Sequence, residues 1–255
     1  MSRSKAQQIF GDNASAYANS SVHVRDDSLD IIEQMLSGYR FDTSIDVGTG
    51  AGFTALSISN ISKTVLASDP TRPMLEQTLD ASMKTNSPNI SVIQNVAEQI
   101  PLSNCSIDLV TCRKAGHHFP EFKKYIKECS RILKPQGILV LADSISPENN
   151  KLEDWLNQIE LERDPSHIKN RKLSELNMIL ELYGFKTVEQ QSTKIHLSFK
   201  SWVDRTGVST SYIEYLKQKF IDADAEIQEA FDIQFSNNDI QFAWPCIVMK
   251  CVKSV

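Results

Sequence analysis

The chain has 255 residues, 41% of them apolar and 23% charged, and a formal net charge of −5. That length suits one large domain or two small ones, and the composition is that of an ordinary globular protein. With no long basic run and no apolar stretch of bilayer length, neither a dedicated nucleic-acid binder nor a membrane-spanning protein is expected.

The opening "MSRSKAQQIFGDNASAY" lacks the apolar core of a secretion signal. The first 40 or so residues read as helical. In "DSLDIIEQMLSGY", Leu29, Ile32, Met35 and Leu36 share one face, with Asp27 or Ser28 as the expected cap. "TSIDV" is a first strand and "KTVLASD" a second. "PTRPMLEQTLDASMKTN" is a helix whose first turn suits Pro70 and Pro73. "ISVIQN" and "IDLVTCR" are the third and fourth strands. "FPEFKKYIKECSRILK" is an amphipathic helix with Phe122, Tyr125, Ile126, Cys129, Ile132 and Leu133 inward, and "ILVLAD" a fifth strand. These strands are short, rich in Val, Ile and Leu, and barely alternate, as strands buried on both faces do. Strand–helix alternation over residues 42–146 predicts a doubly wound, Rossmann-like α/β sheet.

Beyond Ser146, "KLEDWLNQIELER" and "KLSELNMILELYG" read as helices, the second stopping at Gly184. "FKTVEQQSTKIHLSF" reads as one strand or a hairpin arm. "SYIEYLKQKFIDADAEIQEAF" keeps helical spacing throughout, and "FAWPCIVMKCV" is a closing strand. No Gly/Ser/Pro-rich linker divides the chain. One domain is expected: a helical lid over 1–40, a core over 41–146, and substrate-side helices and strands over 147–255. Five cysteines without CxxC spacing indicate neither zinc nor a disulfide framework, and suggest a reducing, cytoplasmic setting.

Three of the nine glycines fall at Gly48, Gly50 and Gly52, in "SIDVGTGAGFTAL", where the first strand turns into a helix. Ligands of doubly wound folds bind there, and glycine lets a ligand approach the backbone closely. The spacing is G-x-G-x-G after Asp46, with Phe53 where a dinucleotide fingerprint needs a third glycine. Asp69 ends the second strand, "NVAEQIPL" follows the third, "SIDLVTCRKAGHHF" spans the fourth and "RILKPQGILVLAD" leads into the fifth.

This series resembles the class I S-adenosylmethionine-dependent methyltransferases of the type 11 group, which includes the ubiquinone/menaquinone-biosynthesis C-methyltransferases. The likeness extends to "IFGDNASAYANSSVH" and "IELERDPSH" and covers most of residues 9–185. It implies a seven-stranded, mostly parallel sheet with an N-terminal helical lid and a helical insertion after the fifth strand. It implies S-adenosylmethionine as cofactor and S-adenosylhomocysteine as product. Asp46, Gly48, Thr49, Gly50 and Gly52 would surround the methionine part. Asp69 would hold the ribose, Pro70 and Thr71 would lie near the adenine, and Ala97 and Glu98 would border its other face. Arg113 would face the sulfonium, and Phe10 and Tyr17 would belong to the lid. Val96 stands where many relatives carry an adenine-binding Asp, so backbone groups or Glu98 would have to replace it.

A phenol, hydroxyl or enolic carbon attacking the methyl group needs its proton removed, and histidine suits that near neutral pH. His117 and His118, after the fourth strand, are the first candidates, and capping of the next helix is the alternative. His167 lies in a segment able to cover the pocket. Asp164 with Ser166 suits a helix N-cap, Arg163 either an acidic substrate or a surface ion pair, and His23 and Arg25 substrate contact. His196 reads as structural. Trp155, Phe199, Trp202, Tyr212 and Trp244 read first as core packing, with an apolar pocket wall as the alternative. No His/Asp/Glu cluster suggests a metal, and the fourth strand lacks the Asn/Asp-Pro-Pro-aromatic sequence of DNA-amine methylation. The expected partner is a small-molecule methyl acceptor, with no nucleic acid; oligomeric state is left open. A protein that binds S-adenosylmethionine without transferring its methyl group is the alternative.

Overall fold

The computed structural model describes residues 5–12, 26–204, 210–236 and 238–254. Its strands are β1 (Phe41–Val47), β2 (Ser62–Asp69), β3 (Ile90–Gln94), β4 (Ile107–Arg113), β5 (Leu133–Ser146), β6 (Arg171–Lys172), β7 (Phe185–Ser198), β8 (Gln234–Phe235) and β9 (Ile240–Lys253). Seven follow one path, β3-β2-β1-β4-β5-β9-β7. The sheet therefore exceeds the expected seven strands by two short ones, β6 beside β5 and β8 beside β9. β1 to β5 pair in parallel, whereas β9 runs antiparallel to both β5 and β7.

The helices are α1 (Lys5–Asp12), α2 (Asp27–Met35), α3 (Phe53–Ser59), α4 (Arg72–Lys84), α5 (Phe122–Ile132), α6 (Asn150–Arg163), α7 (Leu173–Leu182), α8 (Phe199–Asp204), α9 (Thr210–Ile221) and α10 (Ala225–Ala230). α5 buries Phe122, Tyr125, Ile126, Cys129 and Ile132, and removing the Phe and Ile side chains from water is worth about 1.5–3 kcal/mol each. One apolar cluster joins α5 and α7 to the sheet, and another joins α2 and α3. A third, rich in aromatics, gathers Trp202, Phe220, Phe231 and Trp244 from the C-terminal part.

Two local expectations change. The cap of α2 is Asp26, not Asp27 or Ser28; its Oδ1 accepts from Leu29 N at 3.3 Å. The continuous helical spacing after Ser211 is split into α9 and α10. Asp224 takes an extended conformation there, and its Oδ1 accepts from Ile227 N at 3.1 Å, which starts a new helix.

The sheet order reverses between β1 and β4. A crevice opens beside that switch point, outside the carboxyl ends of the strands.

Candidate active site

A cavity of about 480 Å³ occupies that crevice. Val47 to Ala51, Asp69 to Thr71, Asn95 to Glu98 and Arg113 to Ala115 form one side. His117 to Pro120, Glu160, Arg163 to Ser166, Ile195, Leu197, Trp202 and Trp244 form the other.

The glycine turn is built by hydrogen bonds. Gly48 N and Thr49 N donate to Ser68 O at 2.8 and 2.9 Å, and Gly50 N donates to Asp69 Oδ2 at 3.0 Å. All three glycines have positive φ, at 70°, 54° and 89°, a region costly for side-chain-bearing residues. Their roles nevertheless differ. A Cβ on Gly48 would meet Ala115 Cβ at 2.5 Å, and one on Gly52 would meet Thr78 Cγ2 at 2.7 Å. These two serve protein packing. A Cβ on Gly50 would meet nothing within 4 Å, so at this position the bare backbone faces open space.

Asp46 and Gly52 are not among the residues lining the cavity. Asp46 is 1% exposed and sits behind the turn. Its Oδ2 accepts from Thr49 Oγ1 and its Oδ1 from Thr111 Oγ1, each at 2.7 Å. Thr111 is the register partner of Asp46 across β1 and β4, so the carboxylate ties the turn to the neighbouring strand. Burial pushes its pKa up to about 6, against the two hydroxyl donors. Asp69 lines the cavity with its carboxylate braced by Gly50 N and, at 2.8 Å, Thr71 N. Burial raises its pKa, although both amides favour the charged form. Val96 is half exposed in the cavity wall, and one oxygen of Glu98 accepts from Glu121 N at 3.2 Å beside the start of α5. Gln7 Nε2 of α1 donates to Pro70 O at 2.9 Å, which sets the N-terminal helix against the cavity rim. Tyr17, His23 and Arg25 lie outside the described residues, as does the side chain of Phe10.

Arg113 Nη1 donates to Asp26 Oδ1 at 3.0 Å and Nε to Thr54 Oγ1 at 3.1 Å. Lys114 pairs with the other oxygen of Asp26. Burial lowers the proton affinity of both cations, opposed by Asp26.

The three histidines come together, with ring centroids 4.2 Å apart for His117–His118 and 5.8 Å for His117–His167. His117 and His118 line the cavity; His167, 3% exposed, lies behind the wall. A single 3₁₀ turn, Gly116–His118, carries the first two. Asp143 at the end of β5 binds His117 twice. Its Oδ2 accepts from His117 N at 2.9 Å, and its Oδ1 lies 2.6 Å from His117 Nδ1. A Cβ at position 116 would stand 2.9 Å from Asp143 Oδ2, so glycine there admits the carboxylate. Burial disfavours a charged His117, but the charge and hydrogen bond of Asp143 overcome it, and the pKa is raised. Burial and the charge of His117 push His118 down to about 3. Burial lowers His167 to about 4.

The loop after α6 rests on this pair: Ile168 N and Lys169 N donate to His117 O at 2.9 and 3.1 Å. His167 Nε2 lies 3.0 Å from Asn157 Oδ1, which also accepts Asn170 N at 2.6 Å. Asp164 caps the C-terminus of α6 and accepts from Ser166 N and Oγ at 2.8 and 2.6 Å, which replaces the expected helix N-cap. Arg163 makes a buried ion pair rather than a surface one, its Nη2 donating to Glu160 Oε2 at 2.6 Å. Trp202 and Trp244 line the cavity, whereas Trp155 and Phe199 join the aromatic cluster; Tyr212 and His196 are exposed. Asp143, Glu160 and Asp26 were not singled out from sequence.

The expected cofactor fits these residues. An open backbone at Gly50 adjoins the Asp69 carboxylate, as a sugar hydroxyl pair beside a close-approaching chain requires. Among the described residues, no group of three or more His, Cys, Asp or Glu could hold a metal ion, and no helix is long and apolar enough to cross a membrane.

A family model for the methyltransferase domain matches residues 45–141. The uncharacterized methyltransferase YcgJ of Bacillus subtilis is 27% identical over 246 residues, 96% of this chain and 97% of its own. Its crystal structure aligns with a TM-score of 0.83 over 89% of this chain and 98% of that one. The crystal structure of the candidate methyltransferase BH2331 of Bacillus halodurans is 30% identical, with a TM-score of 0.86 over 89% of this chain and 99% of that one. Neither name states an acceptor, and neither likeness supports a binding protein without methyl transfer. The chain belongs to the class I S-adenosylmethionine-dependent methyltransferases, enzymes that move a methyl group from S-adenosylmethionine to an acceptor.

Proposed function

We propose that this methyltransferase acts on a small molecule, and that His117 removes the acceptor's proton while Asp143 orients it. One observation carries this reading: the His117–Asp143 pair lines the same cavity as the open backbone of Gly50. S-adenosylmethionine supplies an electrophilic methyl group on a sulfonium. Gly48, Thr49 and Gly50 cradle its amino-acid part, with Asp46 fixing the turn from behind. Asp69 would accept from the ribose hydroxyls, and Pro70, Thr71, Ala97 and Glu98 would border the adenine. Arg113 limits the cavity on the sulfonium side.

With Nδ1 of His117 donating to Asp143 Oδ1, Nε2 is the ring nitrogen left to take a proton. The imidazolium formed is favoured by Asp143, Glu160 and Asp164. A base in this position contributes about 10²- to 10⁴-fold. Holding the acceptor in line and excluding water supply the rest. His118 donates Nδ1–H towards Ser166 O at 3.2 Å and supports the loop, and His167 holds Asn157; both position rather than react.

One methyltransferase domain over 1–255 is supported by a sheet that draws strands from residue 41 to residue 253. A cytoplasmic setting fits the five free cysteines. A cavity of about 480 Å³ and a net charge of −5 fit a small acceptor better than a nucleic acid.

The test is incubation of the protein with methyl-labelled S-adenosylmethionine and extract of the source organism, separated by size. Label in the small-molecule fraction is expected. Label confined to protein or RNA overturns the acceptor class.

A further inference from the structure

The charge of the acceptor follows from how charges along the cavity are matched. Three cations of the cavity lining already face a carboxylate, and a protonated His117 is a fourth. Arg113 and Lys114 share Asp26. Arg163 donates to Glu160 Oε2 at 2.6 Å, and its guanidinium carbon lies 5.1 Å from the ring centroid of Trp202. His117, when protonated, faces Asp143.

Glu160 is equally committed. Besides Arg163, its Oε1 accepts the indole N–H of Trp202 at 3.0 Å and of Trp244 at 2.5 Å. Glu160 and Arg163 are buried at 6% and 9% exposure, and both line the cavity. A buried ion pair is often no more stabilising than apolar residues of the same size, so stability alone gives little reason for one in this wall. Its effect on a ligand is specific. Arg163 already occupies the place over Trp202 that a cationic acceptor would use. An anionic acceptor meets cations whose charge is already answered, and loses its hydration without return. Asp164, also in this wall, is answered by Ser166 N and Oγ, and Ile195, Leu197, Trp202 and Trp244 give the wall its apolar stretch.

We propose that the acceptor enters uncharged, with an apolar body against Ile195, Leu197, Trp202 and Trp244 and one weakly acidic proton towards His117, and that the Glu160–Arg163 pair selects against both charges. Phosphorylated, carboxylated and ammonium-bearing acceptors are thereby disfavoured. The inference rests on reading this cavity as the acceptor site.

Three phenols that differ only in the tail test it: 4-ethylphenol, tyramine with an ammonium, and 3-(4-hydroxyphenyl)propionate with a carboxylate. Each is titrated calorimetrically into protein saturated with S-adenosylhomocysteine. The expected result is 4-ethylphenol binding about tenfold or more tighter than either charged analogue. A charged analogue binding as tightly, or none of the three binding to protein that holds S-adenosylhomocysteine, overturns the proposal. In Arg163→Gln, the freed charge of Glu160 should raise tyramine affinity about fivefold or more, while Arg163→Lys should keep the wild-type order. An unchanged order in a folded Arg163→Gln variant would also overturn it. Transfer of labelled methyl to 4-ethylphenol is read separately. Binding in the expected order without transfer supports this inference and counts against His117 as base.

Discussion

Asp143 meets His117 through both carboxylate oxygens, and with His117 as the proposed base that contact would set the pH response of the reaction. The raised pKa of His117 means that the base form grows as pH rises through a value above 6.5. The expected profile of kcat/KM therefore climbs with pH to a plateau. In Asp143→Asn, His117 loses the charge that holds it up, so the acidic limb should move to lower pH and the plateau fall by about 10²-fold. A pH series of labelled methyl transfer checks both. At the glycine turn, Gly48→Ala and Gly50→Ala should fail differently. Gly48→Ala drives a methyl group against Ala115, and overpacking of that kind costs about 1–3 kcal/mol of stability. Gly50→Ala should instead weaken S-adenosylhomocysteine binding, with a smaller loss of melting temperature. Calorimetric melts and titrations of the two variants separate the effects. The triplet was visible in the sequence through its spacing alone. Which glycine leaves its backbone facing open space was not, because that depends on Ala115 and Thr78, far along the chain.

At the scale of elements, Asp26 joins α2 to the end of β4. It caps the helix, and it answers the charges of Arg113 and Lys114. An ordinary cap is worth about 1 kcal/mol, whereas removing one partner from a largely buried ion pair costs about 3–5 kcal/mol. Asp26→Asn keeps a capping side chain, so it separates the two roles. We expect it to lose well over 1 kcal/mol in urea unfolding, with a loss near the cap value alone counting against the ion-pair role. This contact was illegible in the sequence because 87 positions separate Asp26 from Arg113. Local signals fared better. The inward face of α5 and the stop at Gly184 were visible as spacing and as a glycine. The break between α9 and α10 was missed because the apolar spacing continues across it, and Asp224 outweighs that spacing by capping.

For the whole molecule, the buried histidines govern acid stability. His118 and His167 have folded pKa values of about 3 and about 4, below the ordinary 6.5, chiefly from burial. The unfolded chain therefore takes up protons first as pH falls. Their contribution is complete above pH 6.5 and is lost on acidification towards pH 4. Asp46, raised to about 6, and His117, also raised, act in the opposite sense and soften the loss. For Glu160 burial alone would raise the pKa, but the charge of Arg163 holds it at about 2, so a further loss follows below the usual carboxylate value of 4.5. The melting temperature should fall between pH 7 and pH 4, and His167→Gln should flatten that fall; a melting temperature constant over this range would contradict the buried, neutral state of the two rings. The doubly wound order and the crevice beside the glycine turn were legible because they follow from strand–helix alternation and one turn. The proposed acceptor end was only half legible. His117 and Arg163 stood out as residue types, but Asp143 sits in an apolar strand 26 positions away, and the two tryptophans that hold Glu160 come from α8 and β9.

The most direct test of the central claim compares S-adenosylhomocysteine affinity with methyl transfer in His117→Gln. Affinity is expected within about twofold of the wild type, and transfer reduced by about 10²-fold or more. Transfer at the wild-type rate, in a variant that binds S-adenosylhomocysteine normally, would contradict it.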